Sequence, residues 1–297
     1  MPLVSVIVVT YNHDAYISQA LESILMQKTS FSYEIIIGND ASKDKTPQIL
    51  LDYKKKFPDI IVLQDNEMNL GVLGNVLNLI NKVKGKYFAI LDGDDFWTYE
   101  HKLQKQIEFL EKNTEYAGVF HDTSIHVIDE EANNKLFKNK YLYSQNYSYK
   151  EIIDPADIVK RLILPSSAAV YRVNKDILKD LNLLKDNLSI FWKISCFLIK
   201  NSKFYYINEV WSAYRNHKKG ISKTNNIAFH LSHIEFLESL LLDTFYKYYS
   251  YDIYVSICKE LEILLESNDN GLNKKSLFKK YKNYSKLKIK EYKQKVL

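Results

Sequence analysis

Cysteine is nearly absent from this chain, with Cys196 and Cys258 the only two in 297 residues. Both stand inside apolar stretches, which argues against a disulfide framework and against a zinc cluster. Long apolar runs are also absent. Val4–Val9 is strongly apolar but far shorter than the roughly 20 residues that span a bilayer, and no lysine or arginine precedes it. These absences predict a buried first strand and a cytoplasmic protein without a membrane-spanning helix.

Acidic residues are scarce near the end of the printed sequence, where positive charge accumulates. From Asn273 to Leu297 there are ten lysines and a single acid, Glu291, in a chain of net charge +5. A solvated helix face, peripheral contact with anionic lipid, an acidic partner and packing against a second subunit all fit this pattern. The charge is confined to one tail and no nucleic-acid-binding motif accompanies it, so nucleic acid is not expected as a partner.

Strand and helix patterns alternate as far as Asp92. The run Val4–Val9 is followed by apolar residues at helical spacing between Ile17 and Leu25, and Thr46-Pro47 is a typical helix start. Apolar strands separated by amphipathic helices predict an α/β fold, with a mostly parallel central sheet and helices on both faces. The predicted strands in this part of the chain are Val4–Val9, Tyr33–Ile37, Ile60–Leu63 and Tyr87–Leu91.

The rest of the chain is less regular. Residues 130–150 are polar and rich in Asn and Tyr, which predicts a long loop of the kind that serves as a substrate lid. Helical periodicity dominates after Gly220, so residues 223–297 are expected to form a helical appendage. Between these segments the patterns predict helices at about 100–112, 154–163 and 188–199, and strands at 116–121, 168–172 and 204–207.

Polar residues follow three of the predicted strands. Because ligands bind outside the carboxyl ends of strands in such sheets, these residues should face one crevice. Asp40 is placed to hydrogen-bond a base or ribose, with an Asx-turn or a cap for the next helix as the alternative. Tyr11 is placed to stack on a base. The three segments are Thr10-Tyr11-Asn12, Gly38-Asn39-Asp40 and Asp92-Gly93-Asp94-Asp95.

The acidic segment at 92–95 is the strongest of these signals. Three carboxylates within four residues repel one another and are costly to bury unless a cation neutralises them. Mg²⁺ and Mn²⁺ bind through one or two carboxylates together with substrate phosphates, which suits a nucleotide ligand. The alternative is a solvated acidic turn.

Five segments, in this order, resemble glycosyltransferase family 2 of the bacterial surface polysaccharide type. The resemblance implies a GT-A fold over 1–222, with a nucleotide-binding half at about 1–98 and an acceptor half at about 99–222. It further implies metal-dependent hexosyl transfer from a nucleotide-diphosphate sugar, by analogy a UDP-sugar, to a hydroxyl of a saccharide or lipid-linked saccharide. The segments are SVIVVTYNHDAYISQALESILMQ, EIIIGNDASKDKT, NLGVLGN, GKYFAILDGDDFW and AYRNH.

The resemblance also assigns site residues. The metal would be held by Asp92, Asp94 and His217. On the acceptor side the candidates are Asp95, Trp97, His121 and Asp122, although packing explains Trp97 equally well. The residues implied for the nucleotide sugar are Thr10, Tyr11, Asn12, Asp40, Asn69, Gly71, Asn75, Asp92, Gly93, Asp94 and Arg215.

An inverting single displacement, which the resemblance implies, needs a general base at the acceptor hydroxyl. Relatives supply it from an acidic pair that opens a helix in the second half of the domain. Asp186 is the only carboxylate between Asp180 and Glu209, so it is the candidate base. The alternative is that Asp186 caps the helix that starts near Leu188.

Two other functions compete with sugar transfer. A sugar-phosphate nucleotidyltransferase also uses an acidic metal site, but it needs a glycine-rich phosphate loop after the first strand. No glycine occurs before Gly38. A non-catalytic nucleotide-sugar scaffold is favoured only if Asp186 has no part in turnover. A homo-oligomer is compatible with either function.

Overall fold

The structure is a computed structural model, in which the chain forms two compact units. The first comprises Met1–Ile153 and Leu164–Gly220, and the second comprises Asp154–Ile163 and Ile221–Leu297. The structure describes residues 1–128, 137–142, 150–160, 164–176, 181, 184, 188–217, 227–267 and 272–296.

The first unit begins with alternating strands and helices, as the sequence pattern predicted. Strand β1 is buried along its whole length and pairs in parallel with β2 on one side and with β4 on the other. Helix α1 buries Ile17, Leu21 and Ile24, which recur at helical spacing on one face. The elements here are β1 (Val4–Thr10), α1 (Ile17–Leu25), β2 (Tyr33–Asn39), α2 (Thr46–Lys56), β3 (Ile61–Asp65), α3 (Gly71–Ile80) and β4 (Tyr87–Asp92).

The remainder of the first unit extends the same sheet with mixed strand directions. The strand order is β3-β2-β1-β4-β9-β6-β10-β5, with β7 beside β6 and β8 beside β10. Strand β9 is antiparallel to both β4 and β6, while β6 and β10 are parallel. The elements are β5 (Phe96–Trp97), α4 (Lys102–Lys112), β6 (Tyr116–Ile128), β7 (Phe137–Leu142), β8 (Ile152–Ile153), β9 (Val170–Arg172), α6 (Ile190–Leu198) and β10 (Lys203–Asn216).

Two strands are much longer than their sequence patterns indicated. Strand β6 continues to Ile128 and β10 continues to Asn216. Both carry polar residues in the sheet interior, where the hydroxyls of Thr123 and Ser212 lie 2.8 Å apart and satisfy each other. These polar residues interrupt the apolar run that marks a strand, so the shorter predictions were wrong.

The prediction of one continuous loop over residues 130–150 is also corrected. Strand β7 lies inside this range and pairs antiparallel with β6, bringing residue 125 opposite residue 141. The flanking residues 129–136 and 143–149 lie outside the described part of the chain.

The second unit is helical. Helix α5 (Pro155–Val159) starts at Asp154, whose side chain accepts a hydrogen bond from the Asp157 N–H at 3.1 Å, and it ends before the predicted limit at 163. The other helices are α7 (Ile227–Leu240), α8 (Ser250–Glu266) and α9 (Lys274–Val296). No helix in the described ranges combines the length and the apolar character needed to cross a bilayer.

Candidate functional site

The carboxyl ends of β1, β2 and β4 lie side by side in the sheet. Thr10 is in register with Asn39, and Val9 is in register with Asp92. Backbone hydrogen bonds continue this pairing beyond the strands, since the Asp40 N–H donates to the Thr10 carbonyl at 2.9 Å. The three polar segments that follow these strands therefore meet at one edge, as the sequence predicted.

Two carboxyl groups of the acidic segment resist ionisation. Burial, together with the charge of Asp94, raises the pKa of Asp92 to about 7, although the Ser166 hydroxyl donates to Asp92 Oδ2 at 2.6 Å. Burial and the charges of Asp94 and Asp92 also hold the pKa of Asp95 well above its usual value. Asp95 Oδ1 accepts the Arg215 N–H at 2.9 Å. Ionising either acid therefore costs free energy, as the sequence pattern implied for closely spaced buried carboxylates.

Asp94 ionises more readily than its two acidic neighbours. Burial opposes its ionisation, but a hydrogen bond from His217 and the proximity of His13 outweigh burial and lower the pKa of Asp94. His217 Nε2 lies 3.0 Å from Asp94 Oδ2, and His13 Nε2 lies 3.7 Å from the same oxygen. Two imidazoles therefore converge on one carboxylate oxygen.

His13 is a site residue that the sequence analysis missed. It follows β1 by three residues, and no local pattern distinguishes it from an ordinary loop histidine. Its neighbour Asp94 is far away in the sequence and becomes adjacent only when β1 and β4 pair. Burial lowers the pKa of His13, which favours the neutral imidazole.

Unsatisfied polar atoms surround Asp94. Among the described residues, the buried side-chain atoms without a hydrogen-bond partner include Thr10 Oγ1, His13 Nδ1 and His217 Nδ1. Such atoms are rare in folded proteins, and these three belong to residues that contact Gly93 or Asp94, which indicates a place where a ligand completes the bonding.

Strand β10 brings Arg215 and His217 to the acidic segment, as the resemblance implied. The Arg215 guanidinium donates to the Asp94 carbonyl oxygen and to Gln19 Oε1. It also lies over the ring of Phe96, 4.4 Å from the centroid. Arg215 is buried, so its charge acts on the acidic segment with little screening by solvent.

Gly93 allows these groups to approach one another. A Cβ atom at this position would lie 2.8 Å from Thr10 Cβ and 2.9 Å from His13 Nδ1, both below ordinary contact distance. The side-chain-free residue between Asp92 and Asp94 therefore lets β1 and His13 pack directly against the acidic segment.

Asp40 anchors the start of helix α3. Its Oδ1 accepts the Leu70 N–H at 2.8 Å, and its Oδ2 accepts the Gly71 N–H at 2.9 Å. Gly71 has φ of 73°, a left-handed conformation suited to glycine. Asn69 Nδ2 donates to the Asp40 carbonyl at 3.3 Å. Asp40 thus caps a helix, namely α3 and not the next helix along the chain, and Asn69 and Gly71 belong to the same network.

Asn12 and Asn75 support the strand ends. Asn75 is buried and its side chain donates to the Gly38 carbonyl at 2.9 Å. Asn12 Oδ1 accepts the Lys43 N–H at 2.8 Å. Tyr11, which directly follows β1, keeps 44% of its surface exposed and is available to a flat ligand.

The candidate acceptor residues are more buried than the sequence suggested. The Trp97 indole N–H donates to the Ser167 carbonyl at 2.8 Å, a packing position. His121 and Asp122 were expected at a strand end, but they lie in the middle of β6 and are buried, because β6 continues alongside β10. Asp186, the candidate base, lies outside the described residues.

The residues around Asp94 suit a divalent cation. Within the described ranges, no group of three or more His, Cys, Asp or Glu forms a metal site by itself. Carboxylate and imidazole are nevertheless donors that Mn²⁺ accepts, and such ions commonly take further ligands from substrate phosphates. The donor set fits a metal whose coordination a nucleotide completes.

Comparison with known proteins identifies the class. The profile of "Glycosyl transferase family 2" matches residues 5–177. An uncharacterised glycosyltransferase of Methanocaldococcus jannaschii is 33% identical over 221 residues, which cover 72% of this chain and 71% of that protein. The chain therefore belongs to glycosyl transferase family 2. A Mycobacterium tuberculosis protein is 27% identical over 217 residues, and this match covers only 60% of its length.

Solved structures share the fold. S. aureus TarS 1–349 in complex with UDP-GlcNAc superposes with a TM-score of 0.65 at 17% identity, covering 90% of this chain and 74% of TarS. The Pyrobaculum calidifontis mannosyltransferase PcManGT, in complex with GDP-Man and Mn²⁺, gives 0.58 at 16% identity, covering 97% and 83%. The expected GT-A fold is confirmed.

Proposed function

We propose that this enzyme transfers a hexosyl group from a UDP-sugar to a hydroxyl of a saccharide or lipid-linked saccharide, with inversion and with Mn²⁺ or Mg²⁺. The convergence of His13 and His217 on Asp94, where β1 and β4 end, carries the proposal. TarS bound to UDP-GlcNAc and the mannosyltransferase bound to GDP-Man and Mn²⁺ support this ligand class. A role in bacterial surface polysaccharide synthesis follows from the type of family member that the sequence resembles.

The donor side of the site has distinct roles for its residues. The metal would be held by Asp94, Asp92 and His217, and it would supply Lewis-acid stabilisation of the leaving diphosphate. Tyr11 offers its exposed ring to the base. The loop that Asp40 fixes at the start of α3 would hold the nucleoside, with Asn69 contributing a side chain.

The acceptor side depends on a general base. Asp186 would take the proton of the acceptor hydroxyl as its oxygen attacks the anomeric carbon and the nucleoside diphosphate leaves. Asp95 and Trp97, which are buried, would form the floor beneath the acceptor. In this scheme Asp186→Asn lowers kcat and leaves donor binding unchanged, whereas a capping role would lower stability instead.

The wider organisation is also part of the proposal. We infer that residues 1–222 act as the transferase domain, with donor and acceptor halves that meet near residue 98, and that residues 223–297 form a helical appendage. We place the enzyme in the cytoplasm, with the lysine-rich tail as a point of peripheral membrane contact.

Calorimetric titration of UDP and GDP, with and without Mn²⁺, tests the donor site. Wild-type protein should bind one nucleotide only with metal, and Asp94→Asn should weaken that binding by roughly a hundredfold. The matched control is Asp52→Asn, an exposed aspartate on α2. Equal binding without metal, or unchanged binding by Asp94→Asn, would contradict the proposal.

Product analysis separates the competing functions. Slow metal-dependent hydrolysis of a UDP-sugar without acceptor is expected of a glycosyltransferase. Pyrophosphate release from a nucleoside triphosphate would instead indicate a nucleotidyltransferase, and tight donor binding without any turnover would indicate a scaffold.

A further inference from the structure

Helix α9 has two faces of different character. One face is anchored to α7 and α8, since Lys280 pairs with Glu238 at 2.9 Å and the Tyr281 hydroxyl donates to Glu262 at 2.9 Å. These contacts fix the rotation of α9 within the second unit and determine which residues it presents to solvent.

The opposite face is a continuous stripe of lysines. The residues of this stripe are exposed and recur every three or four positions, so they lie along one side of the helix over about 27 Å. Within the described part of the chain, none of them has an ion-pair partner, in contrast to Lys280 on the anchored face. The lysine stripe consists of Lys275, Lys279, Lys282, Lys286, Lys290 and Lys293.

Large apolar side chains stand along one edge of the lysine stripe. Phe278 is 48% exposed and Ile289 is 54% exposed. Phe278 lies one turn before Lys282, whose Nζ is 4.6 Å from the centroid of the Phe278 ring. Ile289 lies one turn before Lys293. Exposed apolar groups beside lysines are typical of helices that lie in a membrane interface, where the ammonium groups reach the headgroups.

Positive charge is concentrated in the segment that contains α9, while the rest of the chain carries a net negative charge. Ten lysines and one glutamate give residues 273–297 a charge of +9, so the preceding residues carry −4 within the net charge of +5. Attraction to an anionic surface is therefore a property of α9 and not of the whole molecule.

We propose that the exposed face of α9 binds a bilayer that contains anionic lipid. The lysine stripe contacts the lipid phosphates, and Phe278 and Ile289 enter the boundary between headgroups and acyl chains. A soluble polyanion would match the lysines but would leave the two apolar side chains in water, so the combination favours a lipid surface. This inference rests on the peripheral membrane contact included in the proposed function and specifies the face and the lipid. It uses no residue of the donor site, so failure of lipid binding and failure of sugar transfer can be distinguished.

Flotation of the full chain with vesicles tests the lysine stripe. Wild type should float with phosphatidylcholine vesicles that contain phosphatidylglycerol and not with phosphatidylcholine alone. The stripe variant should lose about fivefold in partitioning per lysine, while the control, with the same charge change on exposed lysines of the first unit, should not. The stripe variant is Lys275→Gln, Lys279→Gln, Lys286→Gln and Lys290→Gln, and the control is Lys55→Gln, Lys82→Gln, Lys105→Gln and Lys112→Gln.

A second variant tests the bilayer itself. Phe278→Ser with Ile289→Ser keeps every charge, and both positions are exposed, so helical circular dichroism should be unchanged. Partitioning to vesicles should fall, while retention on heparin should stay at the wild-type value. The proposal would be overturned if the stripe and control variants lost vesicle partitioning equally, or if the wild type floated with neutral vesicles. Full vesicle binding by the serine variant would also overturn it. The last result would indicate an acidic partner.

Discussion

Two imidazole groups at one carboxylate oxygen distinguish the donor set around Asp94 from an all-oxygen site. Imidazole nitrogen binds transition metals better than it binds Mg²⁺, whereas Mg²⁺ prefers oxygen ligands and water. His13 and His217 both lie within 3.7 Å of Asp94 Oδ2, so on the proposed metal site we expect a preference for Mn²⁺.

We therefore expect nucleotide binding to be tighter with Mn²⁺ than with Mg²⁺, and His13→Gln to reduce this preference about tenfold. Titration of UDP with each metal measures the ratio. His101→Gln, which replaces a histidine outside the site, should keep the wild-type ratio. An unchanged ratio in His13→Gln would show that the imidazole has no contact with the metal.

Gly93→Ala should disrupt the site without adding charge. The new methyl group would overlap Thr10 and His13, so we expect a loss of about 1–3 kcal/mol in the free energy of unfolding and a loss of metal-dependent nucleotide binding. Urea denaturation and calorimetry check the two effects. Wild-type values in both measurements would mean that the strand ends can separate at little cost.

For single residues, the sequence located the acidic segment at 92–95 because its members are contiguous. Asp92, Gly93 and Asp94 follow a recognisable strand, so their position could be predicted. His13 could not, because its importance arises from a contact with Asp94 that no local pattern records. Asp40 was expected to face a nucleoside. Its contacts with Leu70 and Gly71, like the contact of His13 with Asp94, form only in the folded chain and could not be predicted from the local sequence.

Among the elements, predictability follows the composition of the strands. Strands β1, β2 and β4 are apolar and buried, and the sequence predicted them to within two residues at each end. Strands β6 and β10 carry hydroxyl, imidazole and carboxyl groups in the sheet interior, where each pairs with a neighbouring strand. The period-2 and apolar-run patterns do not detect such strands, since burial of polar groups depends on long-range partners.

Helix α4 contains a buried lysine with an energetic cost. Lys102 is fully buried, donates to Gln106 Oε1 at 2.7 Å and lies 4.2 Å from the centroid of the Trp97 ring. Burial lowers the pKa of Lys102 well below its usual value. The native state therefore binds this proton less tightly than the unfolded state, so its stability is greatest above the unfolded pKa and declines as the pH falls towards the native pKa.

Lys102→Met should consequently stabilise the protein at pH 7, by about 1–3 kcal/mol, because a long apolar side chain can fill the same space without desolvating an ammonium group. The gain should shrink as the pH is raised above about 10, where the wild-type lysine is neutral in both states. Urea denaturation at pH 7 and at a pH above about 10 measures the gain in the free energy of unfolding. If the gain were the same at both pH values, the stabilisation would come from packing alone.

On the scale of the whole molecule, the donor site and the lysine stripe lie in different compact units. A nucleotide that binds only the native first unit stabilises it by mass action, by about 2.7 kcal/mol when its concentration is 100 times Kd. The sequence predicted a helical appendage from a change from alternating to helical periodicity after Gly220. The membership of residues 154–163 in the second unit was not predicted, because one short helix carries no sign of the unit it joins.

UDP with Mn²⁺ should therefore raise the unfolding temperature of the wild type by about 5 °C or more. The stripe variant of α9 should show the same rise, whereas Asp94→Asn should show none. Differential scanning fluorimetry is sufficient for this comparison. Loss of the rise in the stripe variant would mean that the two functional surfaces are energetically coupled.

Two of the three groups at the site come from opposite ends of the first unit, since His13 is next to the first strand and His217 is just after the last, while Asp94 lies between them in the sequence. During translation, Asp94 leaves the ribosome long before His217, while domains fold as their segments become available. A nascent chain that ends before β10 lacks one imidazole and the guanidinium that supports the acidic segment. If the proposed donor site is correct, it would be complete only after β10 has been synthesised, and translation products that end before β10 should sequester neither ligand.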